Sequence, residues 1–312
     1  MEILSTVWNW DPTLVNIGGL DIRWYGLMWA VAILVAERLC NYMFSREGLP
    51  PRTLESAFIW IVLGTFIGAR VGHCLFYEPE TYLAEPWRII TDIRNGGMAS
   101  HGATIGIIFS VWMFTKRNHL PFLWGFDRIG VVAPLSGAII RLGNLFNSEI
   151  VGKETGSDFG FKFVYLDARE AWRATGGDVP AEIIEQIPAR YPAQLYEAIC
   201  YFLIFITLLW LYRSKDLGRR RPGVLIGASL IGIFVSRFFI EFIKERQVDF
   251  ESGMTLDMGQ WLSVPFIIIG IYLVVRAYTR PEVSDLNAVV AYANREYAKE
   301  DKKKGKKKGK KR

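Results

Sequence analysis

Cysteine is scarce in this chain of 312 residues. Cys40, Cys74 and Cys200 are the whole supply, none in a CxxC pair and each inside an apolar run. That spacing excludes a disulfide scaffold and a zinc ribbon. Histidine is equally rare, at three residues, and no acids or histidines cluster with metal-ligand spacing, so neither metal nor cofactor is expected. No internal repeat is visible. A basic body is also lacking, despite a net charge of +6 and a pI near 9.1. The end, KKKGKKKGKKR at 302–312, holds nine of the 37 bases and none of the 31 acids. The remainder is slightly acidic, which argues against a nucleic-acid partner. This run cannot bury a core and reads as a disordered tail, either near anionic lipid headgroups or simply solvated. Residues 1–23 have Arg23 as their sole base and no small-residue cleavage site, so no removed signal peptide is expected.

What is abundant is apolar sequence. Hydrophobic residues make up 51% and aromatic ones 14%, too much for disorder and too evenly spread for one soluble core. Seven stretches, 24–44, 56–77, 102–117, 127–146, 194–212, 223–243 and 259–277, approach the ~20 residues that carry a helix across a ~30 Å hydrocarbon layer. The third and fourth are short or hold Gly and Pro, which suits packing inside a bundle. Lys and Arg concentrate in 38–55, 116–126, 213–222 and the tail, whereas 78–100, 148–193 and 244–258 are richer in acids. The positive-inside bias makes the first set cytoplasmic. The expected fold is all-α and polytopic, with seven transmembrane helices, the N-terminus outside and the C-terminus cytoplasmic. Its parts are an extracytoplasmic segment 1–23, a membrane domain 24–277 with an extracytoplasmic cap at 148–193, and a tail 278–312 that is Lys-rich from 302.

Charges inside spans are costly and need a partner or a watery cavity. Arg70, Arg141, Arg237 and Glu241 are the ones at issue. Arg237 and Glu241 are four apart and able to pair on one helix face. Arg141, Asn144 and Asn147 recur every third residue and form a polar stripe. With outward-running fourth and sixth helices, Arg141 and Arg237 lie about 21 Å above the cytoplasmic start, in the outer half. Tyr25, His101 and Gln194 to Glu197 open the first, third and fifth helices, also on the outer side. A shared polar cavity is expected there, independent snorkelling being the competing account.

The runs IRLGNLFNSEIVGKETG (140–156), GGMASHG (96–102), RWYGLMWA (23–30), YPAQLYEA (191–198) and SRFFIEF (236–242) together resemble the prolipoprotein diacylglyceryl transferase family, in the same order and over about 24–277. The departures are Ile140 where the family usually has Gly, Leu145 for its usual Phe, Ala103 for a common second Gly, and Tyr191 where His often stands. None removes an ionisable group from the central motifs.

The resemblance implies a multi-pass transferase of the bacterial plasma (inner) membrane. Its partners would be phosphatidylglycerol, prolipoprotein signal peptides with a lipobox cysteine, and membrane lipids. The diacylglyceryl group would pass to the cysteine thiol, forming a thioether and releasing glycerol phosphate. A thiol with a pKa near 8.5 needs a base or a cationic field, and His101 is the candidate base; a structural hydrogen-bonding role is its alternative. By the resemblance Arg141 and Arg237 are catalytic with it, since planar guanidinium forks suit phosphate. Asn144 stands beside Arg141 at the headgroup, and Glu241 orients Arg237; the alternative is a structural Arg237–Glu241 pair. Tyr25 either donates to phosphate or belongs to the interfacial aromatic belt. Asn147 and Glu149 continue the stripe toward the cap, where Gly152 permits a close turn. Gln194, Tyr196 and Glu197 read as cavity walls, and the three cysteines as buried small apolar groups. A transporter and a phospholipid hydrolase remain the rival functions.

Overall fold

The computed structural model describes residues 5–92, 97, 99–246 and 255–309. Gly96 and Met98 of the GGMASHG run, part of the 244–258 connection, and 310–312 lie outside the described residues. Eight long helices form: α1 Trp24–Arg46, α2 Pro51–Phe76, α3 Ser100–Arg117, α4 Phe122–Phe146, α5 Ala193–Lys215, α6 Val224–Ile240, α7 Met258–Thr279 and α8 Ala288–Gly309. The first seven fall on the seven apolar stretches. Six of them (α1, α2, α4, α5, α6 with its extension to Ile243, and α7) are long and apolar enough to cross a membrane. The 18-residue α3 forms, but Ser100 and His101 at one end and Lys116 and Arg117 at the other shorten its apolar middle to about 21 Å. Pro51 starts α2 at its first helical position, where its missing N–H costs nothing. Asp257 and Gln260 start α7 with reciprocal side-chain-to-backbone bonds.

The chain divides into two compact units, residues 39–128 with 282–312, and residues 1–38 with 129–281. The core of the 39–128 unit is the crossing of α2 and α3. Gly64, Gly68 and Gly72 repeat every fourth residue on α2 and meet Gly102 and Gly106 on α3 so closely that a Cβ on any of them would strike the facing helix. Lipid supplies no hydrophobic drive between helices, so backbone approach through small residues does the joining. At another place in this unit Arg128, beside a bidentate Glu47, lies over the Trp124 ring at 4.1 Å. Trp124 Nε1 also donates to Glu47 at 2.8 Å. A buried pair persists because every oxygen is met. Arg70, the least explained intraspan charge, is buried as a connector. It donates to the carbonyls of Ile89 (2.8 Å) and Gly97 (3.3 Å) and to Tyr82 Oη (3.2 Å), and so pins the 77–99 connection.

Helix α8 corrects the expected tail. Val290, Ala293 and Tyr297 are buried, and Tyr297 Oη meets Thr53 Oγ1 at 3.1 Å and donates to Asn118 Oδ1 at 2.7 Å. The helix continues into the lysine run as far as Gly309, where disorder was expected. The docked turns supply the costly nucleus, and lysine propagates a helix well.

In the other unit α6 packs on α7, with Phe234 stacked on Phe266 at 4.3 Å, and on α5. The N-terminal segment is not separate from the cap. Strand β1 Thr6–Trp8 pairs in parallel with β4 Phe161–Phe163, and β2 Thr13–Ile17 with β3 Leu20–Arg23 makes a hairpin before α1. Trp8 Nε1 donates at 3.0 Å to the Leu145 carbonyl, one of those the end of α4 leaves without an intrahelical donor. The cap is tied together by Arg190, whose guanidinium meets Asp167 at 3.0 Å, Glu245 at 3.1 Å and Glu154 at 3.5 Å.

Candidate active site

The sharp end of α4 is the starting point. After Phe146 the chain reverses through Ser148 and Ile150, at φ +52° and +58°. A β-branched residue in this left-handed region is an outlier, and such strain persists only where surroundings over-determine it. They do here: Glu149 N–H donates to the Asn144 carbonyl at 3.0 Å, and Gln194 Nε2 donates to the Glu149 carbonyl at 2.6 Å. The reversal then delivers Gly152 to a three-way backbone junction. Its N–H donates to the Tyr191 carbonyl at 2.8 Å, and a Cβ there would crowd both Tyr191 and the Ile243 carbonyl. Gly152 was expected to make a close turn; it instead lets three segments approach.

Around this frame one unit gathers most of the expected site residues. Arg141 Nε lies 2.5 Å from Glu197 Oε2, and its Nη1 donates to Asn144 Oδ1 at 3.0 Å. Lys244 Nζ lies 3.5 Å from Glu197 Oε1 and 3.1 Å from Glu241 Oε2. Asn147 Nδ2 donates to Glu149 Oε1 at 3.1 Å. The Tyr25 ring rests against Gly143, beside Asn144. The Tyr201 hydroxyl stands in the fields of both Arg141 and Arg237, which places the two arginines around one point of α5.

One expected pair does not form. Glu241 meets Lys244, not Arg237, although its N–H still bonds the Arg237 carbonyl and the α spacing holds up to Glu241. The 3-10 turn at Glu241–Ile243 then eclipses residues three apart and sets Lys244 over the carboxylate. Arg237, half-buried within a span, therefore has no acid partner among the described residues. Glu197 and Glu241 are met by Arg141 and Lys244, and Arg237 is a third cation on the same unit. Glu149 is exposed, hence screened, and one positive charge is left over.

Buried acceptors are left over as well. Asn147 Oδ1, Ser148 Oγ and Gln194 Oε1 have no hydrogen-bond partner among the described residues. Each such group costs about 1–3 kcal/mol unless a ligand or water meets it. Both Glu197 oxygens lack well-angled hydrogen bonds too, but at these distances the two cations satisfy its charge. No group of His, Cys, Asp and Glu able to hold a metal occurs among the described residues.

His101 belongs to the other unit. It is exposed in the first turn of α3, next to Gly102, whose backbone is wedged against Gly68 and Gly72. The Ala99 N–H donates to the Ala69 carbonyl at 2.9 Å, fixing the approach. Lys244 was missed because it was assigned to a connection; its position three residues after Glu241 was the available signal. Glu197 was read as a wall, although an acid one turn into an apolar helix calls for a cation. In the cap, burial lowers the Arg190 pKa, but the hydrogen bond and charge of Asp167, helped by Glu245 and Glu154, outweigh it and leave it raised.

Comparison with known proteins places this arrangement. The family model described as prolipoprotein diacylglyceryl transferase matches residues 12–276. The phosphatidylglycerol–prolipoprotein diacylglyceryl transferase of Bacteroides fragilis is 41% identical over 283 residues, covering 86% of this chain and 94% of its own. That of Porphyromonas gingivalis is 39% identical over 286 residues, 90% of this chain and 97% of its own. A third relative of the same description, from Tolumonas auensis, is 40% identical over 267 residues, 85% of this chain and 95% of its own.

Proposed function

This chain belongs to the prolipoprotein diacylglyceryl transferase family, and from that premise we propose how its own residues move the diacylglyceryl group of phosphatidylglycerol onto prolipoprotein, the first step of lipoprotein maturation. The acceptor is the thiol of the lipobox cysteine in the signal peptide. The protein works in the bacterial plasma (inner) membrane, with α3 as a seventh span, the N-terminus outside and α8 cytoplasmic. The six long apolar helices and the alternation of basic and acidic connections support that reading.

The cysteine sulfur forms a bond to the glyceryl carbon, the bond from that carbon to the phosphate oxygen breaks, and glycerol phosphate departs. A thiol proton must leave, and negative charge grows on the phosphate. His101 takes the proton, its side chain being exposed in the first turn of α3. Arg237 grips the phosphate with the charge that no carboxylate claims, and Arg141 joins it, held in place by Glu197 and Asn144. Cations already fixed where charge develops stabilise the transition state more than the ground state. Tyr25, Asn147 and Glu149 line the headgroup, Gly152 holds the junction behind them, and Glu241 acts by fixing Lys244 beside Glu197. The observation that carries this assignment is Arg237, an intraspan arginine that acts with Arg141 on the Tyr201 hydroxyl and has no acid of its own among the described residues.

The test incubates purified protein with phosphatidylglycerol vesicles and a lipobox peptide. Equal yields of lipid-modified peptide and glycerol phosphate are expected. Glycerol phosphate without modified peptide would mean a hydrolase, and neither product would refute the reading. His101→Asn and Arg141→Ala should each abolish transfer while the protein stays inserted; wild-type turnover by either removes that residue from the mechanism.

A further inference from the structure

The family match ends at residue 276, so α8 and the run that continues it do no work that the family accounts for. We infer that they form an electrostatic anchor for anionic lipid headgroups, separate from the transfer chemistry and independent of the residues assigned to it. The placement of α8 is the first support. Asn294 Nδ2 donates to the Gly48 carbonyl at 3.1 Å, Tyr297 bonds Thr53 and Asn118, and Arg52 lies over the Tyr297 ring at 4.2 Å. Those contacts lie at the C-terminal end of α1, the start of α2 and the end of α3, which is where Arg46, Arg52, Lys116 and Arg117 are exposed. The helix is thus moored at the basic end of its unit, the end that faces anionic headgroups under the positive-inside bias.

Charge pattern is the second support. Up to Asp301 the three acids of α8 outnumber its two bases, and Glu296 pairs with Lys299 at 2.6 Å. From Lys302 onward there is no acid at all. The helix continues about 18 Å beyond Tyr297, its last buried anchor, so mooring and the lysines up to Lys308 are carried by successive parts of one helix. Residues 302–312 contain only Lys, Gly and Arg. With no aromatic to stack on bases they make a poor nucleic-acid module, whereas a lipid surface asks for charge density alone and lies next to a span-bearing unit.

The experiment reconstitutes full-length protein in nanodiscs of phosphatidylcholine or of phosphatidylcholine with phosphatidylserine, and uses a variant in which every Lys and Arg from Lys302 to Arg312 is Gln for the comparison of transfer activity. Phosphatidylserine supplies anionic headgroups without being the phosphatidylglycerol substrate. Trypsin cleavage within 302–312 is followed by intact mass. Cleavage of the full-length chain should be about tenfold slower in the anionic discs, with the protection lost in high salt. Equal cleavage rates in the two lipids would overturn the proposal. So would protection that appears only when RNA is added to neutral discs, which would assign the run to an acidic polymer. Transfer activity should be the same in both proteins, so its loss through a faulty active site would leave the cleavage result readable.

Discussion

Replacing Arg237 by Ala separates binding chemistry from architecture, because this guanidinium is held by no carboxylate among the described residues while Arg141 is locked to Glu197 at 2.5 Å. One Arg–phosphate pair at ~4 Å interacts by about 4 kcal/mol at an effective dielectric of about 20, before desolvation is charged against it. The net value of a charged hydrogen bond is about 1.5–3 kcal/mol, which at about 1.4 kcal/mol per decade predicts a loss of roughly 10- to 150-fold in kcat/KM. The melting temperature in detergent should not move, since no ion pair of the fold is broken. Arg237→Lys keeps the charge but loses the planar fork, and should fall between. Arg141→Ala should behave differently, with activity lost and stability reduced by about 3 kcal/mol, because Glu197 is then left buried with Lys244 alone at 3.5 Å. The assay is joint release of glycerol phosphate and modified lipobox peptide, with melting followed on the same samples. Wild-type kcat/KM for Arg237→Ala would refute the phosphate assignment, and a melting temperature that falls with activity would make Arg237 structural.

Gly68→Ala puts a methyl group against the backbone of Gly102 and Gly106, atoms that cannot rotate away, and should cost about 1–3 kcal/mol of stability in a detergent melt. Trp8→Phe removes one of the two donors to the Leu145 carbonyl, the other being the Ser148 N–H; about 1 kcal/mol of stability and a severalfold drop in turnover are expected, and unchanged turnover would mean that the end of α4 holds its shape without the N-terminal strand. Arg190→Gln should loosen the cap, read as faster proteolysis between 154 and 190. Because the Arg190 pKa is raised, its charge contributes fully at every pH below the ordinary arginine value, and that contribution is lost only as pH rises through the raised folded-state value. Weakening at mildly alkaline pH would contradict that sign.

The helices were legible because span length and apolarity are local properties. Each of the seven stretches became a helix with ends displaced by a few residues, and in the polar stripe Arg141 bonds Asn144 while Asn147 bonds Glu149. The strands were not legible: β1 is three residues long and exists only because Phe161–Phe163 lies beside it, a pairing that depends on 150 residues of intervening fold. The tail was misjudged for a related reason. Composition describes an isolated segment, and the docking of Tyr297 on Thr53 and Asn118 supplies a nucleus that composition does not encode.

The charge network shows where pattern reasoning stops. Spacing along a helix says which side chains can meet, and Arg237 and Glu241 do stand one α turn apart. The chain tightens from Glu241 onward, and this change in pitch brings Lys244 to the carboxylate as the competing partner. The consequence is functional as well as geometric. An Arg237 neutralised by Glu241 would have to break an existing pair before meeting a phosphate, whereas Lys244 satisfies Glu241 and Glu197 together and leaves the Arg237 charge available. A helix end that looks like an irregularity is therefore what keeps a cation free inside an apolar span.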